Sequence, residues 1–372
     1  MSSGLVGREA VGTPEWRSWQ WQMRHRIRTA EDLARYVKPS ADEARAITAL
    51  AERFRFVITP YYASLMDADD PDCPIRKQVV PRLAELDDPA GLADPLEEVA
   101  HSPVKNVVRV YSDRIAFCVN NECALYCRYC LRKRMVGVED WTMQRRELEA
   151  ALAWIRATPE IRDVLLTGGD PLTYSDEKLG WLLGELRAIP HVEILRLGTR
   201  YPVTLPFRVT DELCRLLERH HPIWVNTHFN HPKELTPEAA AACDRLTRAG
   251  CPVGNQSVLL AGVNDDVATL KALGEGLVRM RVRPYYCYQA QLLEGTAHFR
   301  VPIERGIELF RALRGRTSGF AIPLYVLDTP YGKVPLDYPY VKGREGDVVI
   351  VESFDGRLWR EFNPWTPRPT TR

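Results

Sequence analysis

The chain has 372 residues, 45% of them hydrophobic, a length that fits two domains or one barrel-sized domain with additions. Its formal net charge of +1 excludes a global field that would recruit nucleic acid or an anionic membrane. No run of about eighteen apolar residues occurs, so no membrane span is expected, and the opening residues 1–9 lack the apolar core of a secretion signal.

Residues 1–12 read as a loose tail, and residues 16–27, rich in Trp, Gln and Arg, as a surface helix. Ser40 and Glu43 form a capping box that opens a helix over 41–55. Residues 56–74, rich in aromatics, Asp and Pro, read as an ordered loop. From residue 114 the pattern changes, and short β-branched and aromatic runs alternate with longer amphipathic ones. Strands are expected at 114–120, 163–167, 194–199, 223–228, 253–259 and 282–288. Helices are expected at 143–157, 175–188, 210–219, 236–249, 266–280 and 303–314. These alternations argue for parallel βαβ units. Six units are too few to close an eight-fold barrel, so a partial barrel is expected ahead of a doubly wound sheet. After the last helix a short strand runs into a loop with Gly332 directly before Lys333. The tail reads as a hairpin of 348–352 and 358–362, turning at Asp355-Gly356.

Cys123, Cys127 and Cys130 follow the first of these strands at spacings of four and three, with Arg132-Lys133-Arg134 just beyond. Three thiolates from one short loop suit three corners of a four-iron cubane, leaving the fourth iron open for a small ligand. Cys127 and Cys130 alone also read as a redox pair or half a zinc site. A structural zinc wants four ligands, and no second C-x-x-C exists. Cys73, Cys118, Cys214, Cys243, Cys251 and Cys287 are scattered singly and read as small buried residues.

Polar groups collect at the C-terminal ends of the expected strands, where parallel α/β folds bind ligands. They are Gly168-Gly169-Asp170, Gly198-Thr199-Arg200, Asn226 with His228 to His231, Asn255-Gln256-Ser257, and Gln289 with Gln291. Read alone, Gly168-Gly169 is as much a tight turn as a binding loop, and His228 as much a core histidine as a ligand contact. Gln256 sits in an apolar strand, where a buried amide needs partners. Lys333 has the chemistry to form a Schiff base with an aldehyde cofactor, although most loop lysines are solvated.

The cysteine spacing matches the radical S-adenosylmethionine (SAM) signature, and the chain as a whole resembles the lysine 2,3-aminomutase family. The matching strings span about 16–362: Ile58-Thr-Pro-Tyr-Tyr-Ala-Ser-Leu-Met66, Cys73-Pro-Ile-Arg-Lys-Gln78, the cysteine loop, Leu166-Thr-Gly-Gly-Asp170, Asn226-Thr-His-Phe-Asn-His-Pro232, Gly254-Asn-Gln-Ser-Val-Leu-Leu260 and Arg283-Pro-Tyr-Tyr286. That resemblance implies an α/β fold, a partial (β/α)6 radical SAM barrel over 106–315. An N-terminal helical extension, 1–105, would precede it, and a C-terminal segment, 316–372, would carry a cofactor lysine and the hairpin. It implies a [4Fe–4S] cluster on Cys123, Cys127 and Cys130. SAM would contact Gly168, Gly169 and Asp170, with Asn226, His228 and Gln256 as further contacts. Lys333 would carry pyridoxal 5′-phosphate (PLP), with Arg114 near the PLP or substrate end. Arg132 would hold the substrate carboxylate through its planar fork; otherwise Arg132 to Arg134 is a solvated basic run.

The implied reaction moves the α-amino group of an amino acid to its β-carbon, begun by a SAM-derived radical. A small amino-acid substrate, an electron donor such as flavodoxin or ferredoxin, a homo-oligomer and a reducing cytoplasm belong to the same expectation. Neither nucleic acid nor membrane is expected as a partner. Lysine-specific members present two aspartates to the substrate ammonium. Asp328 matches one, and Gln291 stands at the other position. A guanidinium suits one carboxylate plus an amide oxygen, so arginine is favoured, with lysine close behind and a neutral polar side chain third. Glu294 nearby offers a second charge that would blur this argument. Val110 stands where lysine-specific relatives tend to have arginine, and Arg109 is the candidate to compensate. No cysteine follows Cys287, so an interfacial zinc is not expected. Three rivals remain: a metal-stabilised nucleic-acid-binding module, with salt-dependent binding; a radical SAM enzyme acting on protein-linked lysine; and a noncatalytic relative.

Overall fold

The computed structural model describes residues 6–137 and 139–363. Its centre is a nine-stranded sheet whose strands lie in sequence order: β1 (Val107–Val108), β2 (Arg114–Asn120), β3 (Asp163–Gly168), β4 (Ile194–Gly198), β5 (Ile223–Thr227), β6 (Val253–Leu259), β7 (Arg283–Gln289), β8 (Leu324–Thr329) and β9 (Gly332–Pro335). Strands β2 to β8 run parallel, while β1 and β9 are antiparallel at the two edges. Helices Arg145–Arg156, Asp176–Arg187, Asp211–Glu218, Pro237–Arg248, Val267–Arg279 and Ile303–Leu313 fill the connections, where the alternation places them. Their starts are set locally. Ser175, Thr210, Thr236 and Asp266 each accept a hydrogen bond from the backbone N–H three residues on. Their inward faces are set by spacing, as with Leu148, Ala151, Leu152 and Ile155, which recur at helical period and are fully buried. The result is the curled half-barrel of a partial (β/α)6 fold.

Leu324–Thr329 adds a seventh parallel strand to the six expected, with Tyr286 opposite Leu324 and Tyr288 opposite Val326. The chain then reverses through Pro330-Tyr331, and Gly332 takes φ +118°, a left-handed value open to glycine. Lys333 therefore stands on a strand, directly across from Asp328, and not on a loop.

Several N-terminal readings need correction. Residues 6–12 are tied down, because Arg8 donates to Tyr36 O and Met66 O at 2.7 Å each and Ala10 is buried; residues 1–5 lie outside the described residues. The helix read over 16–27 is the shorter Trp19–Arg24, which exposes Gln20 and Arg24 and buries its other face. Trp16, Trp21 and Gln22 are buried, since the Gln22 amide bridges Trp16 O and the Tyr61 N–H. The capping box at Ser40 forms, but its helix stops at Ala49, where the chain turns to bury Phe54 against Tyr126. The loop 56–74 contains the helix Pro60–Ser64. In the tail, β11 (Val348–Glu352) and β12 (Leu358–Phe362) pair across Gly356 at φ +86°, as expected, and β10 (Val341–Glu345) joins them unforeseen. No helix among the described residues is long and apolar enough to cross a membrane.

One apolar core unites residues from the N-terminal extension with β2 to β6. A buried ion pair fastens the same junction. Arg128, inside the cysteine loop, donates Nε and Nη2 to the Glu85 carboxylate at 2.8 and 2.7 Å, and Nη1 to Phe54 O and Arg55 O. Burial pushes the Glu85 carboxyl up, yet Arg128 and Lys133 hold it below its ordinary value. This stabilisation is therefore present near neutral pH and is lost as pH falls through the folded-state pKa. Glu85→Ala strands a buried guanidinium, so it is expected to cost about 3–5 kcal/mol in equilibrium urea unfolding. A loss under about 1 kcal/mol would show that Arg128 is not the fastening assigned to it.

Candidate active site

Alternate residues of a strand face the same side. Asp163, Leu165 and Thr167 of β3, Ile194, Arg196 and Gly198 of β4, and Tyr286, Tyr288 and Ala290 of β7 and its end line one cavity of about 640 Å³. Their alternates, such as Val164, Leu166, Leu195 and Leu197, are buried in the core. Each residue that the resemblance assigns to cluster, SAM, PLP or substrate borders this cavity, whereas Asn230, His231, Asn255 and Ser257 do not line it. It runs along the strands and is not confined to their C-terminal ends, because Arg114, the first residue of β2, also lines it.

At one end lie Cys123, Cys127 and Cys130, all free thiols. Gly168, the last residue of β3, and Gly169 make room for their loop. A Cβ on Gly168 would lie 2.2 Å from Asn120 O, and one on Gly169 would lie 2.4 Å from Glu122 O. The Gly169 and Asp170 N–H groups donate to those same carbonyls at 2.7 and 2.9 Å. Burial pushes the Cys123 thiol far up and the Cys130 thiol up to about 11, the latter helped by Cys127. Burial thus disfavours a bare thiolate there, and a cationic partner would be needed to stabilise the deprotonated sulfurs. Among the described residues no three His, Cys, Asp or Glu side chains converge on one metal ion. A cubane is instead held at separate corners, and three thiols from one loop at a shared cavity fit that demand.

The remaining residues at this end divide into two kinds. Asn226 is buried with its Nδ2 unpartnered, an open donor on a residue that lines the cavity. Gln256 lines the cavity too. His228 Nε2 lies 3.0 Å from the Tyr129 hydroxyl, and burial together with Arg200 lowers its pKa, favouring the uncharged imidazole. The Asp170 carboxylate is engaged internally. It accepts from Thr199 Oγ1 at 2.7 and 2.8 Å, from Arg200 N–H at 2.7 Å and from Leu172 N–H at 3.0 Å, and burial raises it to about 6. Of the other strand-end groups, Asn255 pins both backbone polar groups of Phe229, and His231 caps the turn at Lys233.

The other end is built around Lys333. Its Nζ lies 3.1 and 3.3 Å from the Asp328 oxygens, near the rings of Tyr111 and Tyr288. Its backbone N–H donates to the Tyr111 hydroxyl at 2.8 Å. The Arg114 guanidinium stacks 3.5 Å over that same ring and donates to Asp113 at 2.8 Å. A primary amine with an aromatic wall and a cation beside it suits an aldehyde cofactor bearing an anionic group. Gln291 Nε2 donates to Asp328 O at 3.1 Å. Arg132 enters the cavity, but Nε and Nη2 are held by Glu98 at 2.7 to 3.1 Å. Its Nη1 has one long contact, 3.4 Å to Thr167 Oγ1. Arg134 also binds Glu98, at 2.8 Å, and Lys133 binds Glu85, which places both in structural ion pairs. Glu294 faces away, paired with Arg53 at the surface at 2.5 Å. Arg109 is spent on the Ser112 and Tyr111 carbonyls.

Sequence reasoning missed Glu98 and Tyr111, and it placed Arg200 among the strand-end groups without giving it a role. Glu98 lies in an irregular stretch with no periodic signal, and Tyr111 in a short turn before β2. Arg200 follows Thr199 at a strand end, which was the one available hint.

Comparison with known proteins agrees with this layout. The family model described as Radical SAM superfamily matches residues 118–273, and that described as Lysine-2,3-aminomutase matches residues 310–365. The L-lysine 2,3-aminomutase of Fusobacterium nucleatum subsp. nucleatum is 48% identical over 357 residues, 95% of this chain and 84% of its own length. That of Clostridium subterminale is 47% identical over 96% of this chain and 87% of its own. The glutamate 2,3-aminomutase of Clostridioides difficile is 41% identical over 93% and 83%. The chain thus belongs to the lysine 2,3-aminomutase family, radical SAM isomerases that work with a [4Fe–4S] cluster, SAM and PLP.

Proposed function

We propose that the protein is a 2,3-aminomutase of a free cationic L-amino acid, with arginine preferred to lysine. The observation that carries this reading is the pairing of one carboxylate, Asp328, with one amide, Gln291, beside Lys333. Every other carboxylate described at the cavity is engaged: Glu98 by Arg132 and Arg134, Asp163 by Arg196, Asp113 by Arg114, and Asp170 by backbone and Thr199. Once Lys333 carries the cofactor, Asp328 is released for the substrate's cationic end. With its Nε2 on Asp328 O, Gln291 has Oε1 left as a second acceptor. A planar guanidinium spreads its donors over both groups, whereas an ammonium facing one carboxylate is under-neutralised.

The remaining assignments follow from the same layout. Cys123, Cys127 and Cys130 hold the cluster. Gly168, Gly169 and Asp170 shape the SAM subsite through backbone, and Asn226, His228 and Gln256 complete it with uncharged polar groups. Arg132 offers Nη1 to the substrate carboxylate while Glu98 fixes the guanidinium plane. Arg114 offers its charge to the anionic group of PLP. When bound, the cluster and SAM would supply radical initiation and PLP would supply delocalisation of an unpaired electron. The protein's own part is to orient these groups and to exclude water from the cavity.

Reconstituted protein incubated anaerobically with SAM, PLP, dithionite and single amino acids is expected to give β-arginine fastest, read by mass spectrometry after derivatisation. Faster β-lysine formation would overturn the preference and leave the chemistry intact. Gln291→Asp restores a second carboxylate and is expected to raise kcat/KM for lysine relative to arginine about tenfold, roughly 1.4 kcal/mol of differential transition-state binding. An unchanged ratio would take Gln291 out of the specificity argument. Lys333→Ala is expected to abolish the near-ultraviolet absorbance of lysine-bound PLP and to leave the iron–sulfur absorbance unaltered. Retention of both the PLP band and turnover would rule out Lys333 as the carrier.

A further inference from the structure

Arg200 is a buried cation with no part in the substrate chemistry above. Its Nη1 lies 2.7 Å from Cys127 Sγ. The rest of the guanidinium is locked: Nη2 donates to Gln78 Oε1 at 2.6 Å, to Glu234 at 2.8 Å and to the Tyr62 hydroxyl at 3.2 Å, and Nε donates to His228 O at 3.1 Å. Its side chain is 10% exposed and that of Glu234 is wholly buried. Glu234 is held in turn by the Tyr62 hydroxyl and the Asn230 N–H, both at 2.6 Å. The counter-charge therefore sits at the nitrogen pointing away from the thiol, and Nη1 presents positive charge to the sulfur in a poorly solvated setting. A structural arginine needs only its carboxylate and carbonyl partners. The nitrogen aimed at a thiol is what that account leaves over.

We propose that Arg200 is a positioning residue for cluster reduction, raising the potential of the cluster held by Cys127 through a fixed hydrogen bond and positive charge at that sulfur. The inference rests on the assignment of Cys123, Cys127 and Cys130 as cluster ligands. A low-potential one-electron donor gives one electron to the cluster, whose charge becomes more negative by one, and no proton moves. Hydrogen bonds to cluster sulfurs and nearby cations stabilise the reduced state more than the oxidised one. Low local dielectric enlarges that difference. Glu234, Gln78 and Tyr62 spare the side chain the cost of reorienting during reduction.

The test is a potentiometric titration of the reconstituted, SAM-free protein, read by electron paramagnetic resonance of the reduced cluster. Arg200→Met is expected to lower the ratio of reduced to oxidised cluster about tenfold at a fixed potential, a midpoint about 59 mV lower for one electron. Arg200→Lys keeps the charge and is expected to recover most of the shift. Glu234→Gln removes the counter-charge with little change of shape, and is expected to move the midpoint upward. It keeps the test open should Arg200→Met fail to assemble. Unchanged midpoints in variants with full iron and sulfide content would overturn the proposal. A wild-type protein that binds no four-iron cluster would overturn the ligand assignment itself, and the inference with it.

Discussion

The close approach of Gly168 and Gly169 to the backbone of Asn120 and Glu122 holds the cysteine loop over the mouth of the sheet. No side chain fits between the two segments, so two N–H groups of one reach two carbonyls of the other directly. Asn120 Nδ2 adds a third tie, to Asp170 O at 3.0 Å. Arg128 fastens the far half of the loop to Glu85. The thiols are thus positioned by backbone and ion pairs, not by each other. A loop set in this way would spend little of a cluster's binding energy on ordering itself.

The charge pattern follows a single rule. Cations at the cavity wall come paired with carboxylates: Arg132 and Arg134 with Glu98, Arg196 with Asp163, Arg114 with Asp113, Lys333 with Asp328, Arg200 with Glu234. Unpaired charge in such a space costs several kcal/mol, so a pair is opened only when a ligand replaces one partner. In the proposed function Lys333 is the cation whose charge cofactor attachment would remove, and Asp328 the carboxylate thereby exposed. On that proposal, specificity for the substrate tail would rest on one carboxylate and its immediate neighbour, Gln291.

Local rules reached some of this architecture and not the rest. Period and capping residues carry their own information, and the strands from β2 to β7 with their helices stand within a residue or two of the expected places. The three-cysteine spacing is likewise local, and so is the Gly-Gly pair, although its dual use as tight packing and cavity wall is visible only in three dimensions. What the chain does not spell out is partnership across distance. Leu324–Thr329 reads as a short strand, but nothing in it says that β7 is its neighbour. Gln22 reads as a surface amide until Tyr61 supplies its second bond. Glu98 and Arg200 become legible only through partners over thirty positions away, Arg132 and Arg134 for the one, Cys127 and Glu234 for the other.

Tyr111 shows how an open sheet completes its site. The two edges, β1–β2 and β8–β9, are not hydrogen-bonded to one another in the strand order. Tyr111, in the turn between β1 and β2, reaches across with its hydroxyl to the Lys333 N–H. A Cβ on Gly332 would stand 2.8 Å from that hydroxyl, so the glycine is required by the bridge as well as by its left-handed turn. The same ring supports the Arg114 guanidinium. Lys333 is therefore fixed by Asp328 across the hairpin and by Tyr111 across the gap, and its freedom is confined to the side chain. The proposed carrier role would need that side-chain reach on a backbone that stays still, and a strand held on both sides provides it where a free loop would not.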